Sequence, residues 1–310
     1  MEAQQTGKKG HLTASAPEDR YHAAVSELSS DMPWYQTSRD LLYAAVVAAV
    51  DGVPVPEILS RTARLGETLP RTHDLHLISQ SVAAVAAARK IDSETFAAAA
   101  DITADELRAA TRTKRARRVA GAVVAAGSAD SSPVRIVTLH KLWNDRHRVL
   151  TTALDVILAA ITENAGSEPH AALDRAETAD QQLAEAGYQG EWEVARILAL
   201  DSPISTVPRF LRLADELRGR RRKPLTDRRH IIAIAALAHH TPEELAGLIP
   251  ARIDAIRAEK IRPDASGAVT LAALLTLGAS VPAGHRLHTV FHGFVLREHY
   301  TASYRDATSD

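Results

Sequence analysis

Ala104-Asp105-Glu106-Leu107-Arg108 recurs about 110 residues later as Ala214-Asp215-Glu216-Leu217-Arg218. Each copy follows a hydrophobe-Asp-Ser triplet, Ile91-Asp92-Ser93 in the first case and Leu200-Asp201-Ser202 in the second. A second pair keeps the same order: the stretch from Ser38-Arg39-Asp40 to Ala45 is echoed by the stretch from Arg146-His147-Arg148 to Ala153. Self-similarity at a fixed period marks a repeat architecture, whose units bury their apolar faces by stacking on neighbours. The chain therefore reads as a tandem duplication, an α-solenoid-like array whose elongated surface is suited to holding something.

Composition supports helices as the repeated unit. Apolar residues make up 45% of the 310 positions but aromatics only 4%, with alanine supplying much of the rest, a mixture that favours closely packed helices over a sandwich or barrel. The apolar runs carry alanine and leucine and do not alternate Val or Ile with polar residues, so no strand is predicted. Helix starts are expected at Ser15-Ala16-Pro17-Glu18, Thr103-Ala104-Asp105-Glu106 and Thr241-Pro242-Glu243-Glu244, each a hydroxyl three residues ahead of a carboxylate. The fold class is all-α.

Four segments, 41–50, 119–126, 154–161 and 231–238, are apolar on every side or nearly so and must be covered all round, which makes them the inner layer. Amphipathic helices are expected around them, at 57–69, 75–90, 171–186, 191–200, 243–260 and 268–277. The small polar run 127–133 is the natural boundary between halves. The expected organisation is a flexible terminus at 1–14, helical halves at 15–127 and 128–278, and a capping helix with tail at 279–310.

The segment Lys223-Pro224-Leu225-Thr226-Asp227-Arg228-Arg229 runs into a buried Ala/Ile/Leu helix, then a charged helix, then a small one ending Leu271-Ala272-Ala273-Leu274-Leu275. In this it resembles a bacterial all-helical family catalogued only as a domain of unknown function. That family enters its buried helix through Phe-Leu-Thr and an aspartate; here Pro224 stands where the aromatic is usual, and the second acidic position is basic. The resemblance spans roughly residues 35–278 and implies an all-helical protein, with no activity, substrate or site residues.

Several function classes are excluded or disfavoured. With no cysteine there is no disulfide, thiolate zinc site or cysteine nucleophile. A net charge of −1 means that any polyanion binding must come from a local patch. No run reaches the roughly 18 apolar residues that span a bilayer, and Met1 to Ser15 lack a signal-like apolar core, so a cytoplasmic protein without membrane contact is expected.

Three constellations remain. Basic clusters occupy corresponding parts of the two copies: Arg112, Lys114, Arg115, Arg117 and Arg118, then Arg218, Arg220, Arg221, Arg222 and Lys223. Guanidinium groups brought to one side could grip phosphates; Arg115, Arg117, Arg118, Arg220, Arg221 and Arg222 are the candidate anion ligands. Alternatively both clusters close helices and meet the negative end of the helix dipole. A histidine stripe, His285, His288, His292 and His299, falls within a sector of about 60° on a helix over 283–300. His285, His288 and His292 are candidate metal ligands with Glu298 as a nearby oxygen donor, or they border a packed face. Isolated acid–histidine neighbours, His73, Asp74 and His76, then His140, Asp145 and His147, together with Asp155, have general-base chemistry but no recognisable nucleophile or oxyanion donor. Asp74 is expected to start a helix, and Asp155 to face water or a neighbouring helix. Trp34, Trp143 and Trp192 read as inter-helix wedges.

These features point to a non-catalytic scaffold or adaptor that offers a concave surface to a protein partner. One alternative is a nucleic-acid or phosphate-ligand binder working through the paired arginine clusters. Another is a helical enzyme of secondary metabolism with a histidine-lined site. No cofactor is expected unless a metal sits on the histidines, and self-association stays open.

Overall fold

The computed structural model describes residues 16–30, 38–127, 131–146, 152, 154–219, 228–259, 261 and 263–307. The protein is all-α: among the described residues there are fifteen α-helices and no strand. Fourteen of them form seven consecutive pairs. These are α1 (Pro17–Ser30) with α2 (Ser38–Asp51), α3 (Val55–Thr68) with α4 (Ser79–Ala88), α5 (Ser93–Glu106) with α6 (Lys114–Ala125), and α7 (Pro133–Arg146) with α8 (Asp155–Asn164). They continue with α9 (Pro169–Glu185) and α10 (Trp192–Leu198), α11 (Pro203–Gly219) and α12 (Arg229–Ala236), and α13 (Pro242–Ala258) and α14 (Ala265–Ser280). The fifteenth, α15 (Arg286–Ala307), has no such partner.

The two copies of the repeated pentapeptide occupy equivalent places, at the carboxyl ends of α5 and α11. Each closes with the same i,i+3 ion pair, Asp105–Arg108 at 2.9 Å and Asp215–Arg218 at 2.7 Å. Asp92 begins α5 by accepting from the amides of Glu94 and Thr95. Thr103 does not start a helix. The Asp92 cap and the alanine run that follows it carry α5 straight through, leaving Thr103 buried in its last turn. The expected capping box at Thr241 and Glu244 is present and opens α13. Ser15 lies outside the described residues.

The second helix of each pair faces inward. Beyond the four segments expected to be buried all round, α4, α10 and the body of α14 are buried as well, where amphipathic helices are predicted. In α4 and α14 the polar residues are mainly Ser and Thr, and a hydroxyl can return its bond to its own helix: Thr276 donates to the carbonyl of Ala272 at 2.6 Å, as Thr162 of α8 does to that of Leu158 at 2.9 Å. Such residues count as polar in a periodicity reading yet pack as small apolar ones. Small residues also permit close helix approach, and a Cβ on Gly121 of α6 would stand 2.1 Å from the Ala100 carbonyl oxygen of α5.

The array curves back on itself. α14 packs against α2, and α13 meets α1, where Arg252 donates to Glu18 at 2.5 Å and His22 pairs with Glu259. α15 does not cap an end of this ring; it runs along the axis, buried from Leu287 to Tyr300 except at Thr289. It touches every inner helix. His288 reaches Asp51 at the end of α2 and Phe291 lies by Gly278 near the end of α14. Gly293 abuts Val123 of α6 and Ile161 of α8. Arg297, Glu298 and His299 then reach the starts of α10, α12 and α4 at Glu193, His230 and Ser81. The inner helices are therefore mutually parallel where these contacts fix their sense, and antiparallel to α15. The concave side that an open array would present is filled by this chain's own helix.

Candidate functional site

Parallel inner helices give the ring two unlike ends. At one end their first turns gather the positive ends of the helix dipoles; at the other, their last turns present carbonyl groups.

A cavity of 160 Å³ opens at the first end, between the starts of α2, α12 and α14 and the second half of α15. Its lining includes Tyr43, Arg228, Asp264, Thr270, Glu298 and Thr301. Asp264 is committed to capping α14, accepting from the Gly267 amide at 2.5 Å. Glu298 is committed to Arg297, whose Nη1 donates to it at 2.6 Å, and stands 3.9 Å from His230. Arg297 also donates to Glu193. Burial works against the Arg297 charge, but the carboxylates of Glu298 and Glu193 outweigh it and hold its pKa above the ordinary value. Burial likewise opposes the Glu193 charge, and Arg297 reverses the effect, bringing that carboxyl down to about 2. Arg228, which leads into α12, makes no ion pair among the described residues. Among the described residues the cavity is thus lined by two carboxylates already engaged and one cation, Arg228, without an ion pair.

The described residues of the first basic cluster lie mainly in the first turns of α6, at this end of the ring. This cluster does not close a helix: Lys114, Arg115, Arg117 and Arg118 open α6, so the helix-dipole reading fails there. These side chains have other partners. Arg115 and Arg118 grip Asp74 at 2.9 and 3.1 Å, Arg118 also holds Asp101 at 2.9 Å, and buried Arg117 donates to the Thr111 carbonyl at 2.8 Å. Arg218 closes α11 as expected. Arg220, Arg221, Arg222 and Lys223 lie outside the described residues, in the connection between α11 and α12.

The histidine stripe divides. His288 and His292 converge on Asp51, with Nε2 of each at 2.5 and 3.0 Å from its two carboxylate oxygens. Burial disfavours the Asp51 charge, but the hydrogen bonds from both rings outweigh it and hold this carboxyl below the usual carboxylate range. His285 is not part of that cluster; it is exposed, its Nδ1 accepts the Leu287 amide, and its ring meets that of His239 edge-on at 5.4 Å. Glu298 lies well over one turn beyond His292 along α15, committed to Arg297. His299 has its own setting, stacked on Tyr43 at 4.8 Å, with its ring nitrogens 2.7 Å from Ser81 and 2.7 Å from Asp40.

The other acid–histidine neighbours separate in the same way. Asp74 does begin a short 3₁₀ turn, Asp74–Ile78, capped by His73, but His73 pairs with Asp101 and not with Asp74. Asp155 is buried against α10, bonded to Arg196, and His140 is buried without Asp145. Trp143 and Trp192 are inter-helix wedges, flanking the Arg196 guanidinium; Trp34 and His147 are outside the described residues.

The residues that sequence reasoning missed, Asp40, Asp51, Ser81, Asp101 and Glu193, lie from 17 to 259 positions from the groups they meet. Arg196 carried a readable signal, since a lone cation within the apolar run 194–200 needs an acid from another helix. No family model, curated protein or solved structure matches this chain. Among the described residues no helix is long and apolar enough to cross a membrane.

Proposed function

We propose that this protein binds a small phosphorylated ligand at the end of the ring where the inner helices begin. The observation that carries the reading is Arg228, a cavity-lining cation without an ion pair among the described residues. Two features of the surroundings support it. The converging first turns place positive ends of helix dipoles around the cavity. The connection that delivers Arg228 carries Arg220, Arg221, Arg222 and Lys223 in the same short segment. A cavity near 160 Å³ takes a group of about the size of a six-membered ring or a phosphate, comparable to the roughly 150 Å³ that holds benzene in a packed core. The protein-partner reading rested on the concave side of an array, and α15 occupies that side.

The test is calorimetric titration of the full chain with ADP and with pyrophosphate at low and high salt. Saturable binding should weaken by about 10- to 100-fold in Arg228→Ala, the scale of one charge-assisted hydrogen bond. It should weaken further with salt. Arg115→Ala should leave affinity unchanged, because Asp74 already holds that side chain. No heat with either ligand, or equal affinity in Arg228→Ala, sinks the reading and returns the search to protein partners.

A further inference from the structure

The opposite end of the ring carries a second site, and its chemistry differs. The geometry points to Asp51, His288 and His292 as the ligand set for a divalent transition-metal ion of the zinc class that fastens the axial helix to the ring.

Three observations bear on this. The first is convergence: one ligand atom from each residue lies within 4.8 Å of the others. His288 and His292 stand one turn apart on α15, at i and i+4, so both rings project from the same face, and their centroids are 4.9 Å apart. Two imidazole nitrogens and one carboxylate oxygen form a donor set that suits zinc, leaving a fourth position for water. Metal–ligand distances near 2.0–2.2 Å need only side-chain adjustment, because the donors already crowd a single point.

The second is charge. Asp51 is the last residue of α2, where the helix dipole is negative, and the last turns of the other inner helices point the same way. Among the described residues no Lys or Arg pairs with this carboxylate. Arg89 donates to the Gly127 carbonyl at 3.0 Å and makes no ion pair with Asp51. A dication bound at this point would supply positive charge to both the carboxylate and the negative helix end.

The third concerns strength. Nδ1 of His288 and of His292 are buried with no hydrogen-bond partner among the described residues. Ligating histidines usually donate their other N–H to a carboxylate or carbonyl, and loss of that support weakens metal binding about 10- to 100-fold. The site is therefore exchangeable, and a chelator should strip it without denaturant.

The experiment uses the full chain, treated with EDTA, and zinc ion alone. One zinc per chain is expected in competition with a chromophoric chelator, with a rise in Tm of about 5 °C at hundredfold excess over Kd. Asp51→Asn and His288→Gln should each weaken binding at least tenfold, while His285→Ala should not. X-ray absorption on the zinc-loaded wild-type chain should show two imidazoles and a carboxylate oxygen, a readout that survives if a variant fails to fold. The proposal is overturned by the absence of stoichiometric zinc, by wild-type affinity in Asp51→Asn and His288→Gln, by loss of binding in His285→Ala, which would assign the ion to His239 and His285, or by any other ligand set in the spectrum. Phosphate-ligand binding at the far end of the ring is independent of each of these outcomes.

Discussion

Nη2 of Arg196 donates to Oδ1 of Asp155 across 2.7 Å, and both side chains are almost wholly buried between α10 and α8. The guanidinium lies 4.7 Å from the Trp143 ring centre and 5.8 Å from that of Trp192, so its faces meet aromatic surface while one edge meets the acid. Removing one partner leaves the other charge buried and uncompensated. Asp155→Ala should destabilise the chain by about 3–5 kcal/mol, and Asp155→Ala with Arg196→Met by clearly less. Urea unfolding of the two variants measures the difference; equal losses would show that the pair is not coupled.

Glycine substitutions should change sign with position. Ala is the better helix former by about 1 kcal/mol, and at Gly66 in α3 nothing lies within 4 Å of the added methyl, so Gly66→Ala should stabilise by up to that amount. At Gly121 the methyl meets the Ala100 carbonyl, a backbone atom that moves only if α5 and α6 separate. Gly121→Ala should cost roughly 1–3 kcal/mol or more despite the propensity gain. Thermal melts of the two variants moving in the same direction would contradict the packing described for this pair.

A chain ending at residue 281 should not fold to the ring. α15 contributes Leu287, Val290, Phe291, Phe294, Val295 and Leu296, each fully buried. At about 1.5–3 kcal/mol for each large side chain, their loss approaches or exceeds the 5–15 kcal/mol that stabilises a typical domain. Cooperative near-ultraviolet unfolding of the truncated chain would show instead that the seven pairs form a core without their axis.

Acid should weaken the fold in two stages. Burial pushes the His140 imidazole below its ordinary 6.5, with Asp155 opposing and Arg196 adding to the effect. The unfolded chain therefore takes up this proton first, and stability falls as pH drops through and below 6.5. Glu193, lowered from 4.5 to about 2 by Arg297 against the opposing effect of burial, contributes stability that is complete above 4.5 and is lost between there and about 2. Chemical denaturation from pH 8 to 3 measures both. His140→Gln should reduce the upper stage, to which His292, also lowered by burial, contributes, and leave the lower stage as it is; an unchanged profile in that variant assigns the upper stage to another group.

Much of the fold is legible in the residues because it depends on local chemistry. The runs 41–50 and 231–238 are apolar all round, which is enough to make them inner helices wherever they pack. The Thr241 box and the paired Asp105–Arg108 and Asp215–Arg218 closures act within one turn. The candidate sites depend on longer reach. His288 and His292 share a helix face by spacing alone, but the carboxylate they meet lies 237 and 241 positions earlier. Arg115 and Arg118 look unengaged in the linear chain because their acids, Asp74 and Asp101, belong to other elements.

Helicity and the burial of the all-apolar runs were thus determined by the sequence itself, through propensity, capping and side-chain periodicity, whereas the burial of α4, α10 and α14 was not. Tertiary structure decided that α14 returns to α2 and that α15 becomes the axis and not an end cap. The physical reason is that closure depends on the small angle each pair adds to the next and on whether an apolar helix fits the space that results. Neither is written at any one position, and both are set by how neighbours pack where glycines leave room, Gly121 for the Ala100 carbonyl of α5 and Gly278 and Gly293 for side chains of the facing helices.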